Sequence, residues 1–356
     1  LVAGSATAFG SGAILVEAGT TLDLNGQTMQ STGALTLNSS GVNGNAALTN
    51  SSSTSATYTG SILLASASSI GSNTGELILS GAVMDSQNFG LVFVGSKAIA
   101  LNNTSNALSK IASGSSIGSL SLVNSGALTI GSVTVGGTTY NGLSSTDRVS
   151  VETLTGDLTI SQNVSTTSTS ALPAAPALLL AAGSSEAVGN TASNIVFVGS
   201  PSFSVGTNGI ADFYSGSLSA STGLSSYVST KSPNSTVYGY TTSYQPSSAG
   251  YNIVYRAKKS SDPDVSPKDT VVSSNTVSSS NDVVPPSETI PLVPLIPADE
   301  KVELPVIVAT LNSTNSGSRE CNVLSTLQSR GSLMQGSGGS VRTVMTCRAF
   351  FATSEL

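Results

Sequence analysis

Two cysteines, a serine in a G-x-S-x-G setting and three neighbouring carboxylates are the residues whose types and spacing bear on chemistry. The serine pattern, Gly114-Ser115-Ser116-Ile117-Gly118, has the form of a nucleophile elbow, but an activated serine needs a base and the chain contains no His. In a sequence this rich in Gly and Ser the pattern arises by chance. Lack of His also removes the common zinc cages and the usual proton shuttle near neutral pH. Asp147, Glu152 and Asp157, with Arg148 among them, form the densest acidic group. Glycosidic cleavage needs two carboxyls about 5–10 Å apart across the bond. A five-residue step along a regular strand turns Asp147 and Glu152 to opposite faces, so solvated corner charges are expected here. No GGxGxDx repeat and no EF-hand loop is present to hold calcium. The expectation is a non-enzyme without metal or other cofactor. A β-helical polysaccharide lyase or hydrolase is the catalytic rival.

Cys321 and Cys347 are the only cysteines. In a secreted chain such a pair reads as one disulfide closing a terminal loop, worth about 3–4 kcal/mol by loop entropy. Two free thiols in a tail are the alternative. A short helix over about 319–328, ended by Gly331, is expected around the first cysteine. Six of the nine tyrosines fall between Tyr227 and Tyr255. Packing inside a cap is one reading of them; the other is a carbohydrate-contacting face that includes Tyr238, Tyr240 and Tyr244. Asn-x-Ser/Thr sequons at Asn38, Asn50, Asn102, Asn103, Asn163, Asn234 and Asn312 mark candidate glycosylation positions and nothing more.

The elements that must position these residues are strands. Charged residues make up 9% of the 356, against about 25% in ordinary domains, while hydrophobic residues make up 38%. Small polar residues alternating with Val, Ile and Leu suit sheets. A short phrase, Gly-x-Φ-x-Φ with Φ apolar, begins at Gly12, Gly33, Gly60, Gly75, Gly90, Gly118, Gly126, Gly131 and Gly156. Each copy is a turn glycine followed by a period-two strand. Most spacings approach the length of one coil of a parallel β-solenoid, and the two short steps from Gly118 to Gly131 read as successive strands of one coil. Stacked coils bury together what none buries alone, and Asn and Ser suit the corners. A Greek-key sandwich is the rival fold.

The predicted class is therefore all-β, with a right-handed parallel β-helix over 1–194 and an aromatic-rich β cap over 195–256. A Pro/Ser-rich linker over 257–305 holds eight of the 13 prolines, and a tail over 306–356 carries both cysteines. The apolar run from Ala171 to Ala182 is too short to span a bilayer, so no transmembrane segment is expected. Net charge is −6 with 13 Lys and Arg, which leaves no basic footprint for nucleic acid. The opening LVAGSATAFGSGAILVEAG has no signal-peptide pattern and reads as the middle of something longer.

The repeated phrase, the block NIVFVGSPSFSVGTNGIADFYSGSLSASTGL and the later AGYNIVYRAK resemble large filamentous-haemagglutinin-like exoproteins of Gram-negative bacteria. Tyr214-Ser215-Gly216-Ser217 followed by Ser221-Thr222-Gly223-Leu224 is similar to a series that follows the repeats in such proteins. The resemblance covers about residues 1–256. It implies a secreted surface adhesin acting in attachment, biofilm or cell–cell contact, with a host-surface or polysaccharide ligand. The cysteine pair resembles the C-terminal hook of two-partner-secretion adhesins, which holds the chain's end in an outer-membrane transporter. On that analogy Cys321 and Cys347 carry the anchor, although their interval is longer than in the tight hooks. A self-associating matrix or surface-layer protein is the structural alternative.

Overall fold

Every Gly-x-Φ-x-Φ phrase becomes a strand. The copies from Gly12, Gly33 and Gly60 form Ile14–Val16, Leu35–Leu37 and Ile62–Leu64 of a four-stranded parallel sheet. Those from Gly90, Gly126 and Gly156 form Leu91–Val94, Leu128–Ile130 and Leu158–Ile160 of an eight-stranded sheet. Those from Gly75 and Gly118 form Leu77–Leu79 and Leu120–Asn124 of a ten-stranded sheet. The computed structural model describes residues 1–30, 33–170, 175–246 and 249–259. All of them belong to one unit, Leu1–Asn275. The expected linker beyond its first three residues, the helix over 319–328, the Asn312 sequon and the Cys321–Cys347 pair lie outside the described residues, while Ala257, placed at the linker's start, is buried and bonded to the sheet.

Within them the protein is nearly all β. The chain visits the four-, eight- and ten-stranded sheets in rotation, and each strand pairs in parallel with its counterpart one circuit later. Ile14 thus faces Leu35, Leu35 faces Ile62 and Ile62 faces Val83. Between the bridges Met84–Ala107 and Ile117–Ser145 the circuit changes. The four-stranded side ends, and a three-stranded sheet (Leu143–Ser145, Val164–Thr166, Phe203–Ser204) takes a new place between the eight- and ten-stranded sheets in chain order. The strands of 195–215 continue these sheets, since Leu158 faces Ile195 and Leu178 faces Ala211, so pairing runs straight across position 194.

Alternation places Leu, Ile and Val inside, in one core that runs from Ala3 to Tyr255. At corners, where strand pairing lapses, buried side-chain amides replace backbone partners. Asn106 accepts from the Val83 N–H at 2.8 Å and donates to the carbonyls of Leu101 and Val123, both at 2.9 Å. Asn124 and Asn50 serve likewise. A buried backbone group left unpaired costs about 1–3 kcal/mol, so these amides hold each corner.

Three features depart from this rotation among parallel sheets. The phrase from Gly131 leaves the circuit as an antiparallel hairpin, Ser132–Val135 with Thr138–Asn141. Val133 and Val135 of that hairpin cover Val92 and Ala112 on the outer face of the eight-stranded sheet. The expected β cap contains a helix, Leu224–Ser229, which buries Leu224 and Val228 against the end of the core. Beside it, the Tyr227 hydroxyl accepts from the Phe203 N–H at 2.8 Å and donates to the Phe203 carbonyl at 2.7 Å, closing the edge of the three-stranded sheet. Finally, the last described strand, Tyr251–Tyr255, inserts between Ala211–Ser215 and Asn234–Tyr238, so the earlier strand Asn234–Tyr238 is the sheet edge.

Candidate functional site

The outer face of the ten-stranded sheet is a long surface of in-register strands. Side chains pointing out of adjacent strands line up in register, about 4.8 Å apart. One row runs Thr57, Ile78, Ala100, Ser121, Ser150, then Leu179, Asp212, Asn252 and Ser235. The first four are half-buried and the stretch from Ser150 to Asn252 is mostly buried. On the more open part, Ile78, Ser80, Ala100, Asn102, Asn103 and Thr104 line a shallow depression of about 360 Å³. Its lining carries hydroxyls, amides and short apolar groups and no charge. Asn103 Nδ2 donates to the Ser80 carbonyl, and Ser121 donates to Asn102 Oδ1, which holds the polar wall in place.

The other part is covered by the chain after Gly239. Tyr244 packs on Ala181, Tyr214 and Val254, and the Tyr214 hydroxyl donates to the Tyr244 carbonyl at 2.7 Å. Tyr240 stacks on Tyr244 with 4.2 Å between ring centroids and is 43% exposed. Tyr238 belongs elsewhere. Its ring stacks on Tyr255 at 5.3 Å and packs against the main core. Of the three tyrosines singled out in the sequence, the structure thus brings Tyr240 and Tyr244 together on the outer face and separates Tyr238 from them.

Beneath this cover lies an acidic, desolvated patch. Asp212 is 2% exposed, and its Oδ1 accepts from Asn252 Nδ2 at 2.9 Å. Ser235 in turn donates to Asn252 Oδ1 at 2.6 Å. Burial pushes the Asp212 carboxyl up to about 6, and the Asn252 hydrogen bond only partly opposes it. Burial also raises Glu152, against the hydrogen bond from Ser184 and the charge of Arg148. The Tyr214 hydroxyl is raised by burial and then by the charges of Asp212 and Glu152. Asp212 escaped sequence reasoning, and its one signal was a lone charge inside an apolar strand, Ala211–Ser215.

The remaining candidates find local partners. Asp147 Oδ1 accepts from the Arg148 N–H at 2.7 Å, and Asp157 Oδ1 accepts from the Asn194 N–H at 2.7 Å at the entry to a different sheet. The three carboxylates of the dense acidic group are therefore engaged separately. Gly114–Gly118 leads into the strand Leu120–Asn124, whereas a nucleophile elbow leads into a helix. Among the sequons, Asn50 is fully buried with its amide bonded to the carbonyls of Thr54 and Glu76, while Asn102, Asn163 and Asn234 are exposed. Among the described residues no group of three or more His, Cys, Asp or Glu is arranged to hold a metal, and no helix is long and apolar enough to cross a membrane. Comparison of the chain with family models, with curated proteins and with solved structures returns no match.

Proposed function

We propose that the chain is part of an extracellular structural adhesin, a right-handed parallel β-solenoid that displays its outer faces to a host surface or a polysaccharide. The observation that carries this reading is the in-register outer row Thr57, Ile78, Ala100, Ser121 with the uncharged depression beside it. A flat array of small neutral groups makes many weak contacts with an extended, hydroxyl-rich partner, and it has no enclosed pocket for a small substrate. On the same reading the segment 195–256 closes the end of the stack. The Pro-rich stretch is the tether, and a Cys321–Cys347 disulfide anchors the chain in an outer-membrane transporter of the two-partner type.

The test is retention of the full chain on immobilised neutral polysaccharides and on cell surfaces, beside an Ala100→Arg variant that fills the depression with a charge. Wild-type retention abolished in a folded Ala100→Arg protein supports the adhesive face. Retention of neither protein on any surface, with fibres forming at rising protein concentration, would transfer the function to self-assembly. Shortened polymer chains after incubation would make the protein an enzyme. Release of a Cys321→Ser chain from cells that hold the wild type tests the anchor separately.

A further inference from the structure

The strand that leads the chain out of the described fold is not the edge of its sheet. Tyr251–Tyr255 pairs with Ala211–Ser215 on one side and with Asn234–Tyr238 on the other, in parallel register over all five residues of each. Bonding continues past its end. The Arg256 N–H donates to the Ser215 carbonyl at 2.9 Å and the Ala257 N–H to the Gly216 carbonyl at 2.8 Å. On the opposite side the Gly239 N–H is shared between the carbonyls of Tyr255 and Ala257, at 2.8 and 3.0 Å. The Arg256 side chain is 2% exposed, and its guanidinium donates to the carbonyls of Ala182, Ala192 and Ser193. Beyond Lys259 the sequence continues for 97 residues.

We infer that Tyr251–Arg256, barred in place by Asn234–Tyr238, is a mechanical lock that carries tension arriving through the C-terminal part of the chain. An edge strand drawn away from its sheet peels, so its hydrogen bonds break one after another. A strand with neighbours on both sides has two ladders to break at every step. Whether it slides along its own axis or lifts from its end, it breaks both ladders together unless the outer strand has gone first. The lock has a second tooth in Arg256. Sliding would drag a cation away from three carbonyl acceptors, and hydrogen bonds with a charged donor are about twice as strong as neutral ones. The bar itself makes a poor template for a foreign strand, because Pro233 precedes it and Lys231 lies close by. This inference goes beyond the adhesive reading, since the lock holds whatever the outer face binds.

Single-molecule pulling on the full chain tests it, with Cys321 and Cys347 replaced by Ser and handles on introduced cysteines. One handle is at Ala18→Cys; the other is at Lys259→Cys, which loads the inserted strand, or at Ser243→Cys, which loads the edge strand. Forced unfolding follows the unfolding rate, so the locked geometry is expected to give a first rupture force about twofold higher than the edge geometry. Its first step should free the chain back to at least Asn234, a length of about 3.3–3.6 Å per residue. Arg256→Met should lower that force with the strands retained. Equal forces in the two geometries would overturn the lock, as would an early weak step that frees only the residues after Gly250. Both outcomes are readable in the unaltered core, and neither depends on whether any polysaccharide binds.

Discussion

Asp212 carries one of the few charges in the repetitive part of the chain, and the fold places it where a charge is least favourable. With a carboxyl raised from 3.8 to about 6, the folded state binds more protons than the unfolded state between those values. The sign follows. The ionised, buried carboxylate is a penalty at neutral pH, and stability contributed at this site rises as pH falls through about 6 towards about 4. A shift of about two units corresponds to about 3 kcal/mol. Asp212→Asn is expected to be more stable than wild type at pH 7 by up to that amount, with the difference closing by pH 4. Urea titrations at several pH values measure the gap, and Glu152 titrates in both proteins, so it largely cancels. A gap that does not change with pH would mean that Asp212 ionises normally. Little of this was legible in the sequence. Alternation marks Asp212 as outward-facing, but its amide partner Asn252 lies 40 residues on, and no local pattern announces that contact. Tyr238 shows the same limit, because its place in a run of tyrosines gave no hint that it stacks on Tyr255.

At the scale of the element, the glycine that opens several of the phrases does more than turn the chain. Gly12, Gly33 and Gly60 stack on one another from circuit to circuit, and Gly81, which precedes the strand Val83–Met84 without opening such a phrase, continues the stack. A Cβ on Gly33 would overlap the carbonyl oxygen of Gly12, and one on Gly81 would overlap that of Gly60. On Gly60 it would lie 2.7 Å from the Gly33 carbonyl, while on Gly12 it would meet nothing within 4 Å. The Ala series should therefore be graded. Gly12→Ala is expected to be near neutral, Gly60→Ala intermediate, and Gly33→Ala and Gly81→Ala the most damaging, at about 3 kcal/mol or more because backbone must move. Thermal denaturation of the four variants checks the order, and equal losses would mean that the corner relaxes freely. Nine of the strands were legible, since each phrase of glycine followed by alternating apolar residues became one, whereas strands such as Ser68–Ser72 and Leu178–Ala182 carry no such phrase. What failed was assignment of neighbours. Gly131 opens a phrase like the others, yet its strand folds back on the outer face because Val92 and Ala112 offer apolar surface there. The helix Leu224–Ser229 has the weak sequence LSSYVS. It is helical because Leu224 and Val228 fill the end of the core, and tertiary burial overrides propensity there.

For the described part of the molecule, the question is how a stack of similar layers comes to an end. Each circuit presents nearly the same row of small residues to the next, and stability in such arrays is a sum of layer and neighbour terms. Nothing inside a layer forbids another from adding to it. The end must be built, and on the capping reading proposed above it is built from the helix, the Tyr227 hydroxyl on Phe203, and the barred strand beside Ala211–Ser215. Phe197, Phe203, Tyr227 and Tyr251 pack there as tilted and edge-on rings, with the Lys231 ammonium 4.4 Å from the Tyr227 centroid. A chain stopped after Gly216 keeps every circuit but bares the edges Ile195–Phe197, Phe203–Ser204 and Ala211–Ser215 together with Phe197, Phe203 and Phe213. Open parallel edges with apolar neighbours are templates for other strands. The truncated chain is expected to retain its β signal and to sediment as growing assemblies at concentrations where the full chain does not. A truncated chain that stays monomeric would show that the layers end themselves, leaving the aromatic segment without a capping role and free to be read as a contact face. Assemblies formed equally by the full chain would instead place the sticking surface outside the cap, on the outer faces where Thr57, Ile78 and Ala100 lie.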